Sequence, residues 1–122
     1  MMLSESSIVF TGHDTESLSR VVYCLNAFDH ISIRINDEDT PRISTSLIEY
    51  YEQGQPKWTP GLTSIQEDWL TVSFEKPSDI SIGVSSLKIE VESEFRGKER
   101  HATIGIDNGT VGASILVRQI NQ

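Results

Sequence analysis

The stretch that decides the fold is Ala102-Thr103-Ile104-Gly105-Ile106-Asp107-Asn108-Gly109-Thr110-Val111-Gly112-Ala113-Ser114-Ile115-Leu116-Val117. Apolar and small or polar residues alternate on both sides of an Asn-Gly pair, and Asn-Gly favours a two-residue hairpin turn because both residues tolerate positive φ. With Asn108 and Gly109 as the turn, Ile106 faces Val111, Ile104 faces Ala113 and Ala102 faces Ile115, which makes one side of the ribbon apolar. On the other side Gly105 meets Gly112, Thr103 meets Ser114, and Glu99 meets Arg118. Such an opposite-charge pair favours its register by a few tenths to ~1 kcal/mol. A slip of one residue would turn the apolar row to water.

Working outward, the same period of two recurs. Ile31, Ile33 and Ile35 alternate with Ser32, Arg34 and Asn36, and Arg42 to Ser46 returns the chain after the turn at Asn36 to Pro41. Trp69 to Phe74 places Leu70, Val72 and Phe74 on one face, and Pro77 ends it. Ile80, Ile82 and Val84 alternate next, followed by Leu87, Ile89, Val91 and Phe95 opposite Lys88, Glu90, Glu92 and Glu94. Ser7 to Thr11 reads as a short first strand. After it, Asp14 or Thr15 is placed to cap a helix whose buried stripe is Leu18, Val21, Val22, Leu25 and Phe28, with Cys24 packed on its flank. Ser46 with Glu49 reads as a capping box for a short helix carrying Tyr50 and Tyr51 and ended by Gly54. Ser64 to Asp68 reads as a further helical turn. The fold expected is therefore α+β: a mostly antiparallel sheet of seven or eight strands, curled into a sandwich or partial barrel, with one amphipathic helix after the first strand.

The 122 residues read as a single domain, large enough to bury a core without metal or disulfide staples. The net charge of −8 argues against nucleic acid as a partner, since phosphate binding relies on clustered Lys and Arg. Only Arg96, Lys98 and Arg100 lie close together, and they are interrupted by Gly97 and Glu99. One cysteine, Cys24, makes no internal disulfide. No apolar run approaches a membrane span, and the N-terminus lacks the basic and apolar regions of a signal peptide, so a cytoplasmic protein is expected.

The hairpin stretch also resembles the first phosphate loop of the actin, sugar-kinase and heat-shock-70 ATPase superfamily, and the first hairpin of RuvC-like nucleases. That resemblance implies Asp107 near a metal and the Gly109-Thr110 backbone near a phosphate. Those folds need a long parallel sheet, crossover helices and further acidic motifs after the hairpin, whereas twelve residues follow Thr110 here. A plain hairpin is the reading retained. Asp37, Glu38 and Asp39 lack the spacing and glycine of a calcium loop. His13, His30 and His101 show no zinc spacing, and the His13-Asp14 dipeptide stands without the helical scaffold of HD phosphohydrolases. No catalytic, metal or cofactor site is therefore assigned, although Cys24, a histidine and carboxylates such as Asp29, Glu67 and Asp68 could converge on folding.

Patterning breaks down between Ser46 and Gly61. There Gln55-Pro56-Lys57-Trp58-Thr59-Pro60-Gly61 sets an aromatic between two prolines, near Tyr50 and Tyr51. Tyr and Trp in irregular loops are frequent interface anchors; the alternative is that Trp58 and a tyrosine lid the core. The function expected is a small acidic, non-enzymatic binding module for another protein with a basic surface, as adaptor, inhibitor or immunity-type protein, through Tyr50, Tyr51 and Trp58. Two alternatives stand beside it: a small-molecule site or small enzyme between helix and sheet, and a homo-oligomer joined through sheet edges.

Overall fold

The computed structural model describes residues 2–11, 18–75, 83–93 and 95–120. Its elements are β1 (Ser7–Thr11), β2 (Ser19–Phe28), β3 (His30–Ile35), β4 (Ile43–Ser46), β5 (Ile48–Glu52), β6 (Gln55–Trp58), β7 (Ser64–Glu67), β8 (Leu70–Ser73), β9 (Val84–Val91), β10 (Glu99–Asp107) and β11 (Gly112–Ile120). One sheet has the order β1-β11-β10-β3-β4, a second has β2-β9-β8-β7, and β5 and β6 form a separate hairpin. Every pairing is antiparallel except β1 with β11. The two larger sheets lay their apolar faces on one core, built from Ile31, Ile33, Ile35, Ile104, Ile106, Ile115 and Val117 on one side and Val22, Phe28, Leu70, Val72, Leu87 and Ile89 on the other. Burying each of these side chains contributes roughly 1.5–3 kcal/mol.

The fold is all-β, with eleven strands rather than seven or eight and no helix among the described residues, which overturns the α+β expectation. Residues 19–28 are a strand that pairs with β9, not an amphipathic helix. The helical stripe was misleading because both faces of β2 are rich in apolar residues. Val22, Cys24 and Phe28 point into the core, while Val21, Tyr23 and Leu25 point outward and stay exposed. A shift in register between Tyr23 and Phe28 further hides the alternation. Asp14 and Thr15, the expected caps, lie outside the described residues, as do His13, Pro77, Ile80, Ile82 and Glu94.

The two short helical readings fail for local reasons. Gln53 and Gly54 both take positive φ, +52° and +80°, the backbone of a two-residue hairpin turn between β5 and β6. Ser46 Oγ accepts from the N–H of Ile48 at 3.1 Å. Ser64–Glu67 is strand β7, turned back into β8 at Asp68, whose φ is +56°.

The last hairpin forms with its apolar face inward, but two residues out of the expected register. Asp107 lies opposite Gly112, Ile106 opposite Ala113 and Ile104 opposite Ile115, so the loop spans Asn108 to Val111. Asn108 explains the longer loop. Its Oδ1 accepts from the N–H groups of Thr110 and Val111, both at 3.0 Å, and its Nδ2 donates to the Ala27 carbonyl at 3.1 Å. Gly109, at φ +87°, donates its N–H to Asp107 Oδ1 at 3.1 Å. A two-residue shift preserves which side faces inward, so the core assignment survives except at Val111, which the longer loop leaves exposed. Glu99 still reaches Arg118, at 2.6 Å, across a diagonal of the ladder rather than directly opposite.

At the other end a polar cluster ties the sheets together. The Arg100 guanidinium lies 4.6 Å from the Trp69 ring centroid and 4.4 Å from that of Phe95. Its Nε donates to Gln119 Oε1 at 2.8 Å, and Gln119 Nε2 donates to the Glu92 carbonyl at 2.8 Å. Gln119 is fully buried, and these bonds satisfy both ends of its amide.

Replacing Asn108 by Ala removes three hydrogen bonds, one of them to β2. The expected result is a loss of about 2 kcal/mol in urea-denaturation stability with unchanged far-ultraviolet circular dichroism. A second expectation concerns acid. Hydrogen bonds from Arg118 and Arg42, assisted by their charge, hold the Glu99 and Glu38 carboxyls below the usual glutamate range. A lowered folded pKa gives stability that is complete above the unfolded pKa and lost as pH falls through the folded one. Between about pH 5 and about pH 3 the urea midpoint of the unmodified protein should fall more than that of Glu99→Gln, and about 1 M salt should narrow the gap.

Candidate functional site

The tyrosine-bearing hairpin is built by the Gln53-Gly54 turn. Tyr50 lies opposite Lys57, Tyr51 opposite Pro56 and Ile48 opposite Trp58, with an irregularity between Ile48 and Tyr50. Beyond it the register is regular, so Tyr50 and Tyr51 lie on opposite faces of this two-stranded hairpin, and both are exposed, at 52% and 64%. Trp58, by contrast, is 5% exposed and belongs to the core. Its indole Nε1 is enclosed and meets no acceptor among the described residues. The three residues singled out as a contact loop therefore separate into two surface tyrosines and one core tryptophan that seals the sandwich.

A larger feature lies on the outer face of the second sheet. Strand alternation points Val21, Tyr23 and Leu25 of β2 outward, with Tyr23 64% and Leu25 73% exposed. Beside them a groove of about 600 Å³ runs along the sheet, bounded by Val21, Tyr23, Ser64, Ser73, Ser86 and Lys88. Small serines on β7, β8 and β9 make the trough, and the tyrosine lines it. The free edge of β2 is covered there: Ser4 N–H donates to the Tyr23 carbonyl and Leu25 N–H to that of Met2, both at 2.8 Å, while Tyr23 N–H donates to Ser4 Oγ at 2.9 Å. The face of β2 is thus open while part of its edge is closed. Sequence reasoning passed over this row because it assigned Val21 and Leu25 to a buried helical stripe. The period-two run Val21, Tyr23, Leu25 was the available signal.

The titratable groups distribute differently from the arrangement weighed on sequence. Cys24 is buried in the core, and burial pushes its thiol up, away from the reactive thiolate. Among the described residues no histidine joins it. His30 lies between Ser44 and Asp107 on the outer face of the first sheet, and His101 Nε2 is 3.0 Å from Asp37 Oδ1. Asp68 contacts Arg42 at 3.3 Å, whereas Asp29 lies near His30 and Asp107. Burial raises the Asp29 carboxyl, the Asp107 charge raises it further, and His30 opposes both. Asp29 and Asp68 thus belong to separate neighbourhoods.

Truncating Trp58 to Ala should cost about 3–5 kcal/mol by chemical denaturation, as expected for an aromatic in a closed core. Tyr51→Ala should stay within about 0.5 kcal/mol of the unmodified protein, as expected for a surface side chain.

No family model and no curated protein matches the chain. Among solved structures, an NMR structure of a protein from Bacteroides thetaiotaomicron is similar, with a TM-score of 0.58 and 15% identity over 98% of this chain and 86% of that one. At that identity the likeness concerns the fold alone: this chain shares its β architecture with that protein.

Proposed function

We propose that this chain is a binding module for another protein, and that its contact surface is the outer face of β2. The observation that carries the reading is the row Val21, Tyr23 and Leu25, exposed beside a groove of about 600 Å³ on a chain of net charge −8. Exposed apolar rows rimmed by polar groups are a recurrent mark of interaction surfaces, and tyrosine supplies large contact area at low entropic cost. The sequence-based expectation of a partner with a basic surface carries over, because the acidic chain would steer such a partner toward it. Tyr50 and Tyr51 remain available as secondary contacts; Trp58 does not. Because the edge of β2 is partly covered, the partner would pack on the face of the strand rather than extend the sheet.

The test compares the unmodified protein with Tyr23→Ser/Leu25→Ser in quantitative capture from the native lysate, with light scattering on each pure protein. A partner held by the unmodified protein and weakened at least tenfold by the double change, with the melting temperature retained, supports the reading. Equal capture by both forms would refute it. Concentration-dependent self-association abolished by the same change would show that the surface serves a second copy instead.

A further inference from the structure

The opposite outer face, that of the first sheet, carries a different chemistry. Cross-strand register sets Ser46, His30 and Asp107 in one row and Ser44, Ser32 and Gly105 in the next. Ser44 Oγ lies 3.3 Å from His30 Nε2, and His30 Nδ1 lies 3.3 Å from Asp107 Oδ2. Asp107 is itself oriented, since its Oδ1 accepts the Gly109 N–H at 3.1 Å. Three strands thus bring a hydroxyl, an imidazole and a carboxylate into line from positions far apart in the chain, in the order that activates a nucleophile. Asp107 faces the imidazole at ion-pair distance on the Nδ1 side, and Nε2 is the nitrogen within reach of the serine hydroxyl.

Beside this line lies a trough of about 190 Å³, lined by Ser32, Arg34, Pro41, Thr103, Gly105 and Ser114. Gly105 keeps it open, because a Cβ there would stand 2.6 Å from Ser32 Oγ. Ser44, His30 and Asp107 stand outside the trough lining, but Ser32, which is part of it, is the direct ladder partner of Ser44. Arg34 follows two residues along β3, about 6.7 Å further on. Among the described residues the Arg34 side chain has no hydrogen bond or ion pair, in a chain with more acidic than basic side chains. Arg34 borders small hydroxyl residues on the trough side and a hollow with Asp37, Glu38 and Asp39 on the other, and from the trough side its planar fork of donors suits a carboxylate.

We propose that Ser44, His30 and Asp107 form a hydrolytic site for small esters that carry a carboxylate, with Arg34 binding that carboxylate. Ser44 Oγ attacks the ester carbonyl, forming a C–O bond as its proton passes to His30 Nε2. Collapse of the tetrahedral intermediate breaks the bond to the leaving alcohol, which takes that proton from His30. Water then attacks the acyl-serine and gives a proton to His30, and the acyl–Oγ bond breaks as the serine recovers it. The products are an alcohol and a carboxylic acid, and water is the only co-reactant. Asp107 is a positioning residue that also stabilises the imidazolium. The Ser32 hydroxyl is placed to donate to the oxyanion. One hydroxyl in place of paired backbone N–H groups makes the site slow and suited to activated esters. This activity is independent of the β2 surface on the other sheet.

The experiment measures nitrophenolate release from the mono-4-nitrophenyl ester of adipic acid and from 4-nitrophenyl hexanoate, its uncharged counterpart. The unmodified protein should exceed Ser44→Ala and His30→Gln at least tenfold on the adipate ester. Arg34→Met should reduce the preference for the adipate ester over the hexanoate ester, read as the ratio of their kcat/KM values, at least tenfold. Asp107→Asn keeps the acceptor for Gly109 and should lower kcat at least tenfold with little change in KM, a split that a merely structural role would not give. Independently of any variant, a fluorophosphonate should label the folded protein at Ser44, as mapped by peptide mass spectrometry. Equal rates for the unmodified protein and Ser44→Ala, or labelling that is absent or falls elsewhere, would overturn the proposal.

Discussion

The register of β10 is the constraint on which the rest of the molecule depends. It is hydrogen-bonded on both sides, to β11 and to β3, so one alignment decides the facing of three strands. Ile104 lies opposite both Ile33 and Ile115, and all three are fully buried. A shift of one residue on β10 would drive Thr103, Gly105 and Asp107 into the core and expose Ala102, Ile104 and Ile106. The same alignment sets the outer face: Asp107 can meet His30 because Ile106 meets Ile31.

Both ends of this arrangement are secured by polar groups rather than by more apolar area. At one end Asn108 bonds its own loop and reaches Ala27, so the β10–β11 hairpin is tied to the second sheet. At the other, Arg100 lies between two aromatic rings and, with Gln119, gathers the segment after β9 onto β10 and β11. Buried polar groups of this kind cost free energy unless every donor and acceptor is met, so they discriminate strongly between one packing and its neighbours. Trp58 is the contrasting case, its enclosed Nε1 lacking such an acceptor among the described residues.

With the inner faces committed to the core, the outer faces are free to differ. One presents tyrosine, valine and leucine beside a serine-lined groove; the other presents hydroxyls, imidazoles and the Arg34 guanidinium beside a trough that Gly105 helps to line. A sandwich allows this because alternate residues of each strand are independent of the packing. Two unrelated chemistries can therefore occupy one small chain without competing for the same side chains.

Much of the sheet structure was legible in the residues themselves. Ile31, Ile33 and Ile35, the Leu70 and Val72 pair, Leu87, Ile89 and Val91, and Ala102, Ile104, Ile106, Ile115 and Val117 on either side of Asn108 declared their inward faces by period alone and are buried; Val111, expected opposite Ile106, is exposed in the loop instead. Other features depended on three dimensions. Residues 19–28 satisfied a helical stripe and a strand equally well, and pairing with β9 decided between them by offering hydrogen bonds and a core for one face only. Gln53 took positive φ because strand pairing on either side imposed it, whereas Asp68 is of a type that tolerates that backbone in turns. Trp58 could anchor a surface or seal a core until packing enclosed it. Ser44, His30 and Asp107 carry no common motif. They meet because register is a long-range property: a ladder of backbone hydrogen bonds brings together residues that the linear chain keeps apart.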